Sequence, residues 1–337
     1  MKKIVALMFV CSFLGIQAQE VITDTLMGIH DHTSDINMAV YSVDGRRLIS
    51  GSSDRSVIVY ESYNWIPMAN YRHEREVSHV ALSRDNSFCA SLSKDNQVLV
   101  YSVDSAKIMF ECAGVKGEVS GLEIDMAMRF VYISSDDGFV RIYDIRKQGF
   151  LAKEINVGAP ITAMALAHTG LIYAGLKTGD IKVFNNLGNE VKLIKAAHKG
   201  AVTCLNYTFF RNKAWLISAG SDNLIKLWEP KTYKAMRSFS GHTWNINRIE
   251  LSRDLRFIVS CANDGMINIW DTDAGSLLKT IKVNDEPVKC ASINEDNSNI
   301  AVTAYKREGT PEYILYIFDP KLPVKSATYT APTKPKK

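Results

Sequence analysis

Two anchor residues recur along this chain at nearly constant spacing. An aromatic residue closes an alternating apolar run at Tyr60, Tyr101, Tyr143, Phe184, Trp228, Trp270 and Phe318, with gaps of 41, 42, 41, 44, 42 and 48 residues. The first apolar residue of another run falls at Ile36, Val77, Val119, Ile161, Val202, Ile246 and Val288, with gaps of 41, 42, 42, 41, 44 and 42. Two independent anchors thus agree on seven units, and self-similarity at such a period restricts the chain to a repeat architecture.

Each unit reads as four short strands. In the first, Ile36–Tyr41 alternates, "VDG" turns, 48–52 runs extended, "SDRS" turns into 57–60, and 66–71 closes the unit. Period-2 alternation between Gly, Asn and Asp turns indicates antiparallel sheet. Radial repetition of four-stranded sheets makes a β-propeller, so the expected fold is all-β with seven four-stranded antiparallel blades. The seventh unit has strand-like runs only as far as 314–318. Its missing fourth strand is available at the other end of the chain, in 21–27, and borrowing it satisfies an otherwise open sheet edge.

The repeat also carries polar residues in register, and on these the chain resembles the WD-repeat family of β-propellers. His198, Ser218, Asp222 and Trp228 form one set; His242, Ser260, Asp264 and Trp270 form another. His32, Ser50, Asp54 and Tyr60, then His73, Ser91, Asp95 and Tyr101, follow with Tyr in place of Trp. The resemblance implies that each set hydrogen-bonds within its own blade. The remaining blades depart: the third keeps Asp137 and Tyr143 but has Val115 and Ile133, the fourth has Val157, Ala174, Thr178 and Phe184, and the seventh retains Thr303 and Phe318. Loss of His together with Ser implies that these blades substitute apolar packing for a polar network.

Outside the propeller, expected over 19–319, lie two segments of different character. Residues 1–18 combine Lys2 and Lys3 with an apolar run of about 13 residues and a small polar exit, the pattern of a signal peptide; the run is short of the ~20 residues of a spanning helix. An exported, periplasmic or secreted protein is therefore expected, without a membrane span. Residues 320–337 form a Lys/Pro/Thr-rich tail with five lysines and no acid, expected to be disordered and able to act as a weak electrostatic tether. Without these two segments the formal charge of +4 disappears and the body is slightly acidic, which argues against nucleic-acid binding. The five cysteines beyond Cys11 form no CxxC pair and read as free thiols, four of them (Cys89, Cys204, Cys261 and Cys290) within strand-like runs.

Motifs that suggest chemistry give way to the repeat. "HEREVSH" places its histidines six apart instead of four, and His73 belongs to the repeat. Asp137 of "SSDDG" is a turn Asp, and "NEDNSN" is a polar turn with too few carboxylates for a calcium loop. No nucleophile elbow, phosphate loop or Cys/His ligand cluster occurs, so no catalytic residue, metal or cofactor is expected. Asn37, Ser78, Ser120, Thr162, Thr203, Asn247 and Lys289, which follow the first-strand anchors, suit a wetted channel wall; other registers bring in His79, Glu123, Arg248 and Glu250.

The resemblance implies binding on the face formed by blade-connecting loops and second-to-third-strand turns. That face takes Glu76, Lys94, Glu118, Asp136, Lys177, Ser221, Trp244 and Asn263, with Tyr305 and Arg307 on the enlarged turn of the last blade. Phe209 and Phe210 are expected in a turn on the opposite face. The function expected is that of a non-enzymatic exported scaffold for a protein or peptide partner. The alternatives are a propeller enzyme or small-ligand binder at the channel mouth, and a structural subunit of a cell-envelope assembly.

Overall fold

The computed structural model describes residues 21–22, 25–283, 285–305 and 313–320. The expected signal peptide, the tail from 321 onward and Arg307 lie outside the described residues. Seven antiparallel sheets succeed one another along the chain. Blade one comprises Ile36–Tyr41, Arg47–Ser52, Ser56–Glu61 and Pro67–Arg72, and blade two comprises Val77–Leu82, Phe88–Ser93, Val98–Ser102 and Lys107–Cys112. The order recurs through blade six, whose strands are Ile246–Leu251, Phe257–Ala262, Met266–Asp271 and Leu277–Lys282. The first strands touch in sequence, and that of blade seven, Val288–Ile293, returns to that of blade one, so the ring is closed around an axis.

Blade seven is assembled from both ends of the chain. Val288–Ile293, Ile300–Ala304 and Leu315–Phe318 supply three strands, and Thr25–Ile29 pairs antiparallel with Leu315–Phe318 as the fourth. The closing strand therefore begins at Thr25 instead of residue 21. Val21–Ile22 instead runs parallel to Thr280–Ile281 on the outer edge of blade six. The outer strand of blade six left unpaired N–H and C=O groups there, an edge that the alternation of residues 21–27 does not reveal.

The core lies between blades. One apolar cluster joins Met38, Ile49, Val57 and Val59 of blade one to Val77, Val80, Leu99 and Tyr101 of blade two; another joins Phe257, Val259 and Ile267 of blade six to Val288, Ile300 and Phe318 of blade seven. Close approach depends on a small residue in the second strand. A Cβ on Gly51 would meet Val77 of the next blade at 2.6 Å, and one on Gly175 would meet Val202 at the same distance.

Every first strand carries a β-bulge immediately after its anchor residue, at Ile36/Met38, Val77/His79, Val119/Gly121, Ile161/Ala163, Val202/Cys204, Ile246/Arg248 and Val288/Cys290. A bulge leaves one residue outside the ladder and turns the strand. Here the extra residue is always the one expected on the channel wall. In blade five the first two strands are longer, Val202–Phe210 and Lys213–Gly220, and Arg211 and Asn212 turn the hairpin with φ of 47° and 65°. Phe209 and Phe210 are thus strand residues and not turn residues: Phe209 stacks on His168 at 3.8 Å, and Phe210 packs against the core shared with blade six.

Deleting residues 19–28 from the chain removes the hydrogen-bonded partner of Leu315–Phe318. The expected result is loss of a single cooperative unfolding transition by calorimetry; a truncated chain melting as sharply and as high as the full one would show that closure does not depend on this strand.

Candidate interaction face and central channel

In blade five the imidazole of His198 stands between a hydroxyl and a carboxylate. Nε2 lies 2.7 Å from Ser218 Oγ and Nδ1 lies 2.8 Å from Asp222 Oδ1, while the Trp228 indole N–H donates to Ser218 Oγ at 2.8 Å. Blade six repeats this with His242 at 2.8 Å from Ser260 and 2.9 Å from Asp264, and Trp270 donating to Ser260 at 2.9 Å. In blade one His32 lies 2.7 Å from Ser50 and 2.9 Å from Asp54. There the sequence pattern omitted Ser56, whose hydroxyl lies 3.0 Å from the His32 ring and 2.5 Å from Asp54. All three histidines and serines are buried, where a polar atom without a partner is costly. Burial pushes His198 below its usual range; the Lys199 N–H and the His198 ring hold Asp222 low although burial opposes this.

Blade two departs from the expected set. His73 reaches Ser91 at 2.6 Å and Tyr101 at 3.1 Å, but its other nitrogen faces Gln97 Oε1 at 3.3 Å, and Asp95 instead accepts from Ser93 at 2.5 Å. Gln97 occupies the position of Leu224 and Met266, and its long amide takes the place the carboxylate holds in blades five and six. Blade three departs further. Arg141, 3% exposed, donates to Asp137 at 2.6 Å, Ser135 at 3.1 Å and Glu154 at 2.8 Å. The expected exchange of polar network for apolar packing is therefore wrong there: a guanidinium replaces the imidazole. In blade four Ala174 and Phe184 do pack in an apolar cluster, and Lys182 donates to the carbonyl of Val157 at 2.9 Å. The available sequence signal was the residue two before each closing aromatic, which is Arg141, Lys182 and Lys226 in blades three to five.

On one face of the ring the same backbone bond forms in all seven blades. The N–H of Ser53, Lys94, Asp136, Lys177, Ser221, Asn263 and Tyr305 donates to the carbonyl of Asp35, Glu76, Glu118, Pro160, Ala201, Asn245 and Pro287 respectively, at 2.8 to 3.2 Å. Each second-to-third-strand turn is thereby locked to the loop leading into its own first strand. The lock brings Lys94 to 2.5 Å from Glu76, and the Lys94 ammonium holds the Glu76 carboxyl below its usual range. It also brings the Glu118 N–H to 2.7 Å from Asp136 Oδ1, and Asn247 Nδ2 to 2.7 Å from Asn263. Lys289 bridges the junction of blades seven and one, 3.1 Å from Asp35, 3.0 Å from Asn37 and 3.8 Å from the centre of the Tyr305 ring. Trp244, next to Asn245 on this face, is 65% exposed.

Inside the ring lies a channel cavity of about 600 Å³, lined by Ser120, Thr162, Thr203 and Asn247 of one expected register and by His79, Glu123 and Arg248 of the other, while Glu250 lines an adjoining chamber. Four of the seven bulged residues, Lys289 among them, tie neighbouring blades together. Asn37 donates to the Val77 carbonyl at 2.7 Å, Thr162 to that of Val202 at 2.6 Å and Asn247 to that of Val288 at 2.7 Å. Lower on the wall Glu123 accepts from the Leu166 N–H at 3.1 Å, Asn206 from Leu251 at 3.3 Å and Ser292 from Tyr41 at 3.1 Å. Burial pushes Glu123 and Glu250 up to about 7, the Arg248 charge opposing it in both, and pushes His79 down to about 4. Among the described residues no group of His, Cys, Asp and Glu is arranged to hold a metal ion, and all five cysteines there are free thiols.

A family model described as "WD domain, G-beta repeat" matches residues 24–61, 66–102, 189–229 and 233–271. These segments supply the inner three strands of blades one, two, five and six, the four blades that contain the His–Ser pair. The chain belongs to the WD-repeat family of β-propellers. Each matched WD repeat begins with the outer strand of one blade and ends with the inner strands of the next, which is why closure needs strands from both chain ends. The chain is 21% identical over 271 residues to Autophagy-related protein 16 of Arabidopsis thaliana, covering 78% of this chain and 53% of that protein. It is 32% identical over 124 residues to a probable coatomer subunit beta' of Schizosaccharomyces pombe, covering 37% and 16%. It is 23% identical over 283 residues to the serine-threonine kinase receptor-associated protein of Gallus gallus, covering 83% and 77%. The chain thus spans about half of the first relative and about a sixth of the second.

Two predictions follow from the WD-repeat geometry. Ser218→Ala strands both the His198 ring and the Trp228 N–H, and should cost about 2–6 kcal/mol in denaturant unfolding, since each orphaned buried group costs about 1–3 kcal/mol. Glu123 and Glu250 act in the opposite pH direction from the braces. Their raised folded-state values mean a contribution present below the ordinary carboxyl range and lost as pH rises through about 7. The depressed Asp222 and Asp264 contribute above the ordinary range and are lost on acidification. Glu123→Gln/Glu250→Gln should therefore reduce the fall in Tm between pH 6 and pH 8, by about 2–6 °C, while leaving acid unfolding unchanged.

Proposed function

We propose that this propeller is a non-enzymatic, exported scaffold that binds a protein or peptide on the face carrying the seven turn-to-loop locks. The observation that carries this reading is the ring of locks itself. It holds chemically different side chains at fixed positions around one channel mouth: Glu76 with Lys94, Glu118 with Asp136, Lys177, Ser221, Asn263 and Tyr305. A surface whose backbone is already hydrogen-bonded loses little conformational entropy on association. Trp244 adds a large amphipathic contact of the kind that dominates interface energetics. The names of two relatives place them within or beside protein assemblies, as a coatomer subunit and as a receptor-associated protein. Glu123, the channel carboxylate nearest to an acid–base role, is tied to the Leu166 backbone, which supports a non-catalytic reading. Export is supported by Lys2, Lys3 and the apolar run after them, and the lysines of the tail supply a weak attraction to an anionic surface.

Affinity capture with crosslinking from cell-envelope extracts tests the reading. The expected result is that Trp244→Ala/Lys177→Glu/Arg307→Glu loses a partner that the unaltered chain captures, at an unchanged melting temperature. Retention of every partner by the folded triple variant would reject this face as the binding surface.

A further inference from the structure

The channel holds a guanidinium that the fold does not use. Arg248 follows the blade-six bulge and lines the cavity, yet its buried Nε has no hydrogen-bond partner, and among the described residues no carboxylate oxygen lies within 4.0 Å of its side-chain nitrogens. Every other buried cation described above is satisfied: Arg141 by three side chains and Lys289 by Asp35 and Asn37. On the same cavity wall the buried Thr203 Oγ1 also lacks a partner, as does Glu250 Oε2 in the adjoining chamber. Buried polar groups in folded proteins are nearly always paired, so Arg248 Nε and Thr203 Oγ1 on the wall of one cavity point to a ligand that supplies complementary atoms.

The surroundings define its chemistry. An arginine fork favours a planar, two-oxygen anion. The groups facing Arg248 from the other blades are His79 of blade two, Glu123 of blade three, Cys204 of blade five and Cys290 of blade seven, with Glu250 and Cys261 on its own blade. Burial keeps the imidazole and the thiols in their neutral forms and disfavours ionised Glu123 and Glu250. Arg248 is then the one permanent charge of this group. A single negative charge balances it, whereas a phosphate dianion leaves one charge uncompensated, and ionisation of Glu123 or Glu250 at higher pH repels either anion. Met38 and Val40 of blade one and Ala81 of blade two contribute apolar wall to the same cavity, which fits a short hydrocarbon attached to the anion.

We propose that the mid-channel is a binding site for a small aliphatic carboxylate, received by the guanidinium of Arg248 with the hydroxyl of Thr203 donating to the same ligand. The cavity shares Glu123, Asn206 and Tyr207 with a second chamber lined by Arg84, Asp125, Glu250 and Arg253, and reaches Glu118 and Asp136 at the other mouth, so a small acid has a route from either face. The site is separate from the turn-to-loop face and does not depend on that face binding a partner.

The test uses the full chain with ¹⁵N-labelled arginine, titrated at pH 6 with butyrate, acetate and inorganic phosphate while the Arg248 Nε–H resonance is followed. Butyrate should shift that resonance saturably in the millimolar range, several-fold more tightly than acetate and at least tenfold more tightly than phosphate. Binding should weaken about tenfold at pH 8, and Glu123→Gln/Glu250→Gln should remove that pH dependence. Arg248→Gln should abolish saturable butyrate binding measured by calorimetry. An Arg248 resonance indifferent to butyrate overturns the proposal without recourse to any variant. So does equal butyrate affinity in folded Arg248→Gln, and phosphate binding as tight as butyrate overturns the carboxylate assignment.

Discussion

Closure of the ring rests on the pairing of Thr25–Ile29 with Leu315–Phe318. A propeller blade has an inner neighbour on each side but no partner beyond its outer strand, so an open ring would expose the faces of two blades as well as an unfinished sheet. Drawing the last outer strand from the start of the chain makes the two ends mutually dependent. The contacts between blades seven and one then follow: the Tyr41 N–H on Ser292, the Cys290 thiol on the Ala39 carbonyl and Lys289 on Asp35 all span that junction. The parallel pairing of Val21–Ile22 on blade six extends the same clasp across a second blade edge.

Within blades, the common requirement is satisfaction of polar atoms behind the outer strand, and the chain meets it in more than one way. An imidazole between hydroxyl and carboxylate serves blades one, five and six. Gln97 replaces the carboxylate in blade two, and Arg141 replaces the imidazole in blade three with Asp137, Ser135 and Glu154 around it. These are different solutions to one accounting problem, because each donor buried there needs an acceptor and each acceptor a donor. The family model matches the blades that retain His and Ser, and the other blades keep the same sheet without them.

The bulge after each anchor residue connects architecture to the channel. It frees one side chain per blade from the ladder and rotates the following residues inward. Asn37, Thr162 and Asn247 act as staples between blades, while His79, Cys204 and Arg248 reach the channel from the next position. A rigid ring and a chemically varied interior thus come from the same backbone irregularity. The locks between turns and loops do for the outer face what the bulges do for the interior, holding side chains from distant sequence positions around one opening.

Blade number and strand order were legible from residue spacing, because period-2 alternation and turn residues act within a few positions of the chain, and the resemblance to WD repeats implied the His–Ser–Asp braces that blades one, five and six form. The borrowing of an outer strand from the first residues was also legible, since the seventh unit stops one strand short. Its start at Thr25 and the pairing of Val21–Ile22 with blade six were not, because they depend on which edge lies open beside the segment. Spacing assigned Asp95 to His73, but Gln97 competes for the same nitrogen at close range and wins. Arg141 is a charged residue in a strand by sequence; only the approach of Asp137, Ser135 and Glu154 from separate positions makes it a buried hub. Sequence left two registers open for the channel wall, and the bulge admits both. Local pattern determined which elements form and how many times they recur. Tertiary structure decided which side chains face one another, because those meetings depend on register and closure between strands that the covalent chain keeps far apart.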